Sequence, residues 1–120
     1  MDNILIVDDV KTDRDLLGKA VIQAGYAPIY VSDGDEAVSA AKSCKPKLVF
    51  LDVVMARTNG YVACRQLKND AETKTIPVVL VTTKNADSDR FWGKKQGADD
   101  QLGKPFTPDS VLAVLRRFLG

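Results

Sequence analysis

Three aspartates follow two short apolar segments of the sequence. Residues 4–7 (ILIV) lead directly into Asp8 and Asp9. Residues 48–51 (LVFL) lead directly into Asp52. Apolar runs bounded by polar turns are typical of central parallel strands, and ligands of such sheets bind beyond the carboxyl ends of the strands. We therefore expect the three carboxylates to lie close together at one edge of a sheet.

Carboxylates held close together favour a bound cation. Neighbouring carboxylates raise one another's pKa unless a positive charge neutralises them. A group of oxygen ligands suits Mg²⁺ better than Zn²⁺, which favours His or Cys, and the chain contains no His. The three aspartates therefore predict a magnesium site.

Two further strand ends add a hydroxyl and an ammonium group. Residues 78–81 (VVLV) lead into Thr82, and a last short strand at residues 101–103 leads into Lys104 and Pro105. A tetrahedral phosphoryl anion is bound by such groups, because the hydroxyl donates a hydrogen bond and the ammonium supplies a charge. We expect the site to hold phosphate on or near an aspartate.

The elements that position these residues alternate between strand and helix. Turn residues such as Gly25, Pro77 and Gly97 separate the segments, and Thr107 with Pro108 begins the last helix. We predict strands at residues 4–7, 27–31, 48–51, 78–81 and 101–103, and helices at 11–24, 35–44, 60–68, 88–96 and 109–119. This alternation predicts an α/β fold, a doubly wound, flavodoxin-like (βα)5 three-layer sandwich with parallel strand order 2-1-3-4-5. Its switch point falls between the two strands that end in aspartates.

Length and composition fit one domain, residues 1–120. The 17 basic and 16 acidic residues leave a net charge of +1, which gives no indication of a nucleic-acid partner. No apolar stretch approaches the roughly 20 residues of a membrane span, and Asp2 lies where a signal peptide needs basic residues. We expect a cytoplasmic protein without membrane insertion, a monomer or weak dimer. Cys44 and Cys64 have no metal-ligand spacing, so we expect buried free thiols.

These features together resemble the receiver domain of two-component response regulators, the CheY-like family, over the whole chain. Residues 52–60 (DVVMARTNG) are similar to the family signature D-x-x-M-P-x-x-x-G, with Ala56 in place of the usual proline. The acidic pair, Thr82 and the Lys-Pro pair also occur in family order. Residues 82–84 (TTK) and 89–93 (DRFWG) further resemble the PilG/PilH-type regulators of twitching motility.

The resemblance implies a role for each residue of the site. Asp52 is the phosphoryl acceptor, while Thr82 and Lys104 bind phosphoryl oxygens. Mg²⁺ would spread the transferred charge during attack by the carboxylate. The implied magnesium ligands are three carboxylates and one backbone carbonyl: Asp8, Asp9, Asp52 and the carbonyl of Val54.

The implied function is that of a single-domain response regulator and not of an enzyme. Such a protein is a switch, phosphorylated on Asp52 in a Mg²⁺-dependent phosphorelay, that acts by docking to a downstream protein target. The pathway we expect is type IV pilus motility or chemotaxis-like signalling. Because the chain has no His, the phosphoryl group must come from a separate histidine kinase or from a small acyl phosphate.

Two other classes of function stay open at this point. An aspartyl-phosphate phosphotransferase or phosphatase would use the same nucleophile, but usually carries a second carboxylate two residues later, where this chain has Val54. A flavin-binding, flavodoxin-like protein would need a Ser/Thr/Gly-rich phosphate loop after the first strand, where this chain has Asp8 and Asp9. The absorbance of the purified protein distinguishes the flavin-binding class.

Some residues also allow a purely structural interpretation. Asp8 or Asp9 could serve only as the N-cap of the next helix. Phe91 and Trp92, on a short and otherwise polar helix, could mark a partner surface. Large aromatic residues lie more often in the core, so we expect the core for this pair.

Overall fold

The computed structural model describes residues 2–83 and 87–120, of which residues 87 and 88 are described without their side chains. Within these ranges the chain forms five strands and five α-helices that alternate along the sequence. The strands are β1 (Asn3–Val7), β2 (Ala27–Val31), β3 (Leu48–Asp52), β4 (Val78–Thr82) and β5 (Asp100–Gly103). The helices are α1 (Lys11–Gln23), α2 (Ala37–Cys44), α3 (Gly60–Asn69), α4 (Asp87–Lys95) and α5 (Pro108–Leu119).

All five strands belong to one parallel sheet in the order β2-β1-β3-β4-β5, which confirms the predicted doubly wound fold. β1 lies between β2 and β3, so that Ile4 is level with Pro28 on one side and Leu48 on the other. The chain reverses its winding direction at β1, and the switch point therefore falls between β1 and β3 as predicted.

The core consists of two layers, one on each face of the sheet. Ile4 and Ile6 pack with residues of α1 and α5, whereas Leu5 and Val7 pack with residues of α2 and α3. Because successive side chains of a strand point to opposite faces, a continuous apolar run such as β1 supplies both layers. Cys64 is buried in the second layer and Cys44 is half-buried, and both thiols are free.

The helix ends follow local side-chain chemistry. Thr107 and Ser110 form a reciprocal capping box at the start of α5, and Pro108 occupies its first turn, as the sequence predicted. The predicted second helix begins two residues later than expected, because the Asp33 carboxylate accepts from the Asp35 N–H and holds a short 3₁₀ turn before α2. None of the described helices is long and apolar enough to cross a membrane.

The predicted burial of Phe91 and Trp92 in the core is wrong. Phe91 and Trp92 are 56% and 55% exposed, not part of the core, and their rings meet edge to face. The reason lies in the next residue: α4 approaches the sheet through Gly93, where an added Cβ would lie 3.0 Å from a Leu80 methyl group. This contact turns both aromatic rings outward. Leu16 of α1 is also exposed.

Candidate functional site

The three predicted aspartates converge at the carboxyl edge of the sheet. One carboxylate oxygen of each of Asp8, Asp9 and Asp52 lies within 4.8 Å of the others. Asp8 and Asp52 are almost fully buried, at 1% and 3% exposure, whereas Asp9 is exposed. The convergence follows from the topology, because β1 and β3 are hydrogen-bonded neighbours and end at the same edge.

Burial and repulsion act together on Asp52. Desolvation, followed by the negative charge of Asp8, raises the pKa of the Asp52 carboxyl to about 6. The Lys104 ammonium and a hydrogen bond from the Val54 backbone lower this pKa, but they offset only part of the increase. The described side chains around Asp52 therefore compensate its negative charge only in part.

The other two aspartates are fixed by backbone N–H groups. Asp8 accepts a hydrogen bond from the Val10 N–H at 2.9 Å, and Asp9 accepts one from the Ala56 N–H at 2.7 Å. Helix α1 begins at Lys11, and its first turn has no side-chain cap. The capping interpretation of Asp8 and Asp9 is therefore wrong.

Lys104 reaches into the same crevice from the end of β5. Its ammonium lies 2.8 Å from Asp13, 3.2 Å from Asp8 and 3.4 Å from Asp52. Burial lowers the pKa of Lys104, but the pairing with Asp13 and then with the other two carboxylates outweighs this, so that its pKa is raised. Its backbone is held as well, because the Lys104 N–H donates to the Thr82 carbonyl at 2.8 Å. The peptide bond from Lys104 to Pro105 is cis.

Thr82 and Val54 lie where the sequence predicted. Thr82 is buried at the end of β4, level with Gly103 of β5. Val54 follows Asp52 on the loop between β3 and α3, and its side chain is 59% exposed. The loop then folds back on itself, because Val54 forms an isolated antiparallel bridge with Asn59. The roles of the Thr82 hydroxyl and the Val54 carbonyl remain predictions.

The loop between β3 and α3 is held close to the end of β3. A Cβ added at Gly60 would lie 2.1 Å from the Asp52 carbonyl oxygen, so only glycine fits there. The Thr58 hydroxyl donates to the Asp33 carboxylate and accepts from the Gly34 N–H, at 3.2 and 2.9 Å. These contacts connect the loop after β3 to the loop after β2.

Asp13 is a residue of the crevice that the sequence analysis missed. It lies in the first turn of α1, where an acidic residue is common because it complements the helix dipole. Its contact with Lys104 joins positions 91 residues apart. The available signal was its position in the first turn of the helix that follows Asp8 and Asp9, which places it near the carboxyl end of β1.

The donor set fits a hard divalent cation. All three carboxylates offer oxygen, and the cluster contains no His or Cys. Among the described residues, two of these carboxylates, Asp8 and Asp52, lie beside the Lys104 ammonium, which itself pairs with a fourth carboxylate, that of Asp13. A bound Mg²⁺ would compensate the remaining charge.

Comparison with known proteins gives one consistent family. Residues 4–116 match the response regulator receiver domain. Protein PilH of Pseudomonas aeruginosa is 41% identical over 99% of this chain and 98% of its own. Several longer regulators match over 97–99% of this chain, which spans only 45–51% of their length.

Solved structures agree in fold over nearly the whole chain. Chemotaxis protein CheY4 of Vibrio cholerae superposes with a TM-score of 0.92 at 29% identity, covering 99% of both chains. The receiver domain of a sensor histidine kinase from Pseudomonas aeruginosa has a TM-score of 0.88 at 25% identity, covering 98% of this chain and 96% of its own. That structure has a magnesium ion coordinated in its active-site cleft.

Proposed function

This chain belongs to the response regulator receiver domain family, and we propose that it is a single-domain switch, residues 1–120, phosphorylated on Asp52. The observation that carries the proposal is the burial of Asp52 beside Asp8, with Lys104 at 3.4 Å. Carboxylates placed together in a crevice with an elevated pKa mark a functional site more often than a structural one.

Asp52 is the nucleophile of the proposed reaction. A carboxylate oxygen of Asp52 forms a bond to phosphorus as the bond from phosphorus to the donor breaks. The donor is the imidazole of a phosphohistidine or the carboxylate of a small acyl phosphate, and it leaves with the bonding electron pair. The Asp52 side chain enters this reaction ionised, and a cation nearby favours this state because burial disfavours its charge.

Asp8, Asp9 and Asp52 are the side chains that would hold Mg²⁺, with the backbone carbonyl of Val54 as a further ligand. A magnesium ion bound there supplies compensation for the negative charge of the carboxylates and of the transferred group. The cluster of three oxygen donors within 4.8 Å supports this proposal.

Lys104 and Thr82 would bind the phosphoryl oxygens that face the interior. The Lys104 ammonium already lies within 3.4 Å of the acceptor carboxylate, on a backbone tied to Thr82. Thr82 ends the strand next to β3, whose last residue is Asp52. An ammonium and a hydroxyl at these positions suit the charge and hydrogen-bonding needs of a phosphoryl anion.

We infer that the protein signals by docking and does not turn over a substrate. The apolar, exposed side chain of Val54 supports this, because an acid–base carboxylate would be needed there for rapid hydrolysis. The proposed partners are a histidine kinase and a downstream target in the cytoplasm. The similarity to PilH over both full lengths supports a role in type IV pilus motility or chemotaxis-like signalling.

Intact mass spectrometry tests the acceptor assignment. Incubation with an acyl phosphate and Mg²⁺ should add one acid-stable, base-labile phosphoryl group to the wild type and none to Asp52→Asn. Asp99→Asn, a carboxylate change outside the crevice, is the matched control and should be labelled like the wild type. Full labelling of Asp52→Asn, or labelling of the wild type with Mg²⁺ chelated, would contradict the proposal.

A further inference from the structure

Lys104 is shared by three carboxylates, and the closest is not the proposed acceptor. Its ammonium is 2.8 Å from Asp13 but 3.4 Å from Asp52. The Lys104 side chain is 14% exposed and that of Asp13 is 28% exposed, so water screens this pair only in part. In the unphosphorylated protein, Asp13 is therefore the nearest partner of the lysine.

A second ion pair on the same helix provides the contrast. Asp15 pairs with Lys11 one helical turn away, also at 2.8 Å, but the two side chains are 59% and 78% exposed. Exposed pairs of this kind contribute little, because water and salt screen them. Asp13 and Asp15 thus carry the same charge in the same turn region of α1, yet only Asp13 contacts the crevice.

We propose that Asp13 is a positioning residue that holds Lys104 in a resting place and competes with the phosphoryl group for it. The proposal rests on Asp52 being the phosphoryl acceptor. A phosphoryl group on Asp52 brings anionic oxygens nearer to the ammonium than the resting carboxylate oxygen at 3.4 Å. Lys104 must then divide its N–H donors between these oxygens and Asp13, and the Asp13 carboxylate also repels the incoming anion.

The competition connects the state of Asp52 to helix α1. Asp13 lies in the first turn of α1, and its ion pair with Lys104 ties this turn to the end of β5. When Lys104 moves to the phosphoryl group, this tie weakens. The first turn of α1 thereby becomes a region whose environment reports phosphorylation.

Binding of beryllofluoride, a non-covalent phosphoryl mimic, tests the competition. The variants are Asp13→Asn, which keeps the side-chain shape but removes the charge, and Asp15→Asn as the matched control. Titration in saturating Mg²⁺, followed by Trp92 fluorescence or amide chemical shifts, should show about threefold to tenfold tighter beryllofluoride binding by Asp13→Asn. Asp15→Asn should bind like the wild type.

A separate titration with Mg²⁺ alone separates positioning of Lys104 from a general change of charge. Asp13 is not among the three clustered carboxylates, so its neutralisation should not raise Mg²⁺ affinity. An equal gain for Mg²⁺ and beryllofluoride would overturn the proposal, as would unchanged or weaker beryllofluoride binding by Asp13→Asn. If Asp13→Asn folds poorly, Asp13→Ser provides the same charge removal with a smaller side chain.

Different results would overturn the proposed function and the competition between Asp13 and the phosphoryl group. If the wild type binds no beryllofluoride with Mg²⁺, both the proposed function and the inference about Asp13 are overturned. If the wild type and Asp15→Asn bind it but Asp13→Asn binds no more tightly, the proposed function stands and the competition is refuted.

Discussion

At the amino ends of β4 and β5, one lysine meets one aspartate. Lys68 lies 2.7 Å from Asp99 and donates to the Ile76 carbonyl at 2.8 Å, while Asp99 also accepts from the Val78 N–H at 2.8 Å. At the carboxyl ends, within the described part of the chain, the ammonium of Lys104 faces the carboxylates of Asp8, Asp13 and Asp52. The exposed Asp9 adds a further negative charge to that edge.

The balance of charge distinguishes the structural Lys68–Asp99 pair from the proposed functional site at the carboxyl edge. In the Lys68–Asp99 pair the charges balance and backbone groups supply further hydrogen bonds, so each charge is compensated where it lies. At the carboxyl edge the described residues place more carboxylates than ammonium groups in a buried crevice, at a cost in stability. A stability cost of this kind is expected at a site where a bound ligand or a reaction compensates the negative charge.

The largest expected effect is a gain in the free energy of unfolding when Asp52, the proposed acceptor, is neutralised. Because the pKa of Asp52 is raised from 3.8 to about 6 by folding, ionised Asp52 opposes folding at neutral pH. Its favourable contribution is complete below pH 3.8 and is lost as the pH rises through 6. In metal-free protein at pH 8, Asp52→Asn should therefore raise the free energy of unfolding by roughly 1–3 kcal/mol.

Urea unfolding of wild type and Asp52→Asn in EDTA, from pH 8 down to pH 4, measures this gain. The difference between the two proteins should shrink as the pH falls and vanish near pH 4. A difference that is constant with pH, or a loss of stability at pH 8, would show that the charge of Asp52 is already compensated.

Breaking the Lys68–Asp99 pair should lower the free energy of unfolding, the opposite of the effect at Asp52. Lys68→Met keeps much of the apolar stem but leaves Asp99 and the Ile76 carbonyl without the ammonium. We expect a loss of about 1–2 kcal/mol in the free energy of unfolding, since the Lys68 side chain is mostly buried. Lys74→Met, on the exposed surface nearby, is the control and should change stability by less than about 0.5 kcal/mol.

The Mg²⁺ affinity of Lys68→Met tests whether the two clusters are independent of each other. Lys68→Met should bind Mg²⁺ as the wild type does, because the Lys68–Asp99 pair lies at the opposite end of the sheet. If Lys68→Met shifts Mg²⁺ affinity as strongly as stability, the two clusters are coupled and the division between them is wrong.

The smallest expected effect concerns Ala56. Its N–H donates to Asp9 at 2.7 Å and so holds an exposed carboxylate toward the crevice, a bond that proline could not donate. Ala56→Pro should weaken Mg²⁺ binding about two- to fivefold, because Asp9 gains freedom that binding must then restrict. Calorimetric titration measures this, and Ala56→Ser, which keeps the N–H, is the control. Equal affinities in Ala56→Pro and Ala56→Ser would contradict this role of the N–H.

The fold and most of the site could be predicted because they depend on local patterns. Continuous apolar runs identify buried parallel strands, and Asp8, Asp9 and Asp52 follow those runs directly. Once β1 and β3 are neighbours, the convergence of the three carboxylates needs no further information. The bounds of the strands and helices were likewise set by turn and capping residues, such as Thr107 at the start of α5.

The features that the sequence did not predict depend on contacts between distant parts of the chain. Asp13 has an ordinary explanation as an acidic residue at a helix start, and only the folded chain places it against Lys104. Phe91 and Trp92 were assigned to the core by their apolar character. The close approach of Gly93 to Leu80, which turns them outward, cannot be read from the periodicity of so short a helix.

The most direct test of the division between the two clusters is to locate the phosphoryl group chemically. Borohydride reduces an aspartyl phosphate to homoserine, which peptide mass spectrometry assigns to one position. After treatment with an acyl phosphate and Mg²⁺, the conversion should occur at Asp52 and should disappear when Mg²⁺ is chelated. Conversion at Asp99 or at another surface carboxylate, or conversion at Asp52 that persists without Mg²⁺, would contradict the assignment of the carboxyl edge as the magnesium-dependent phosphoryl-acceptor site.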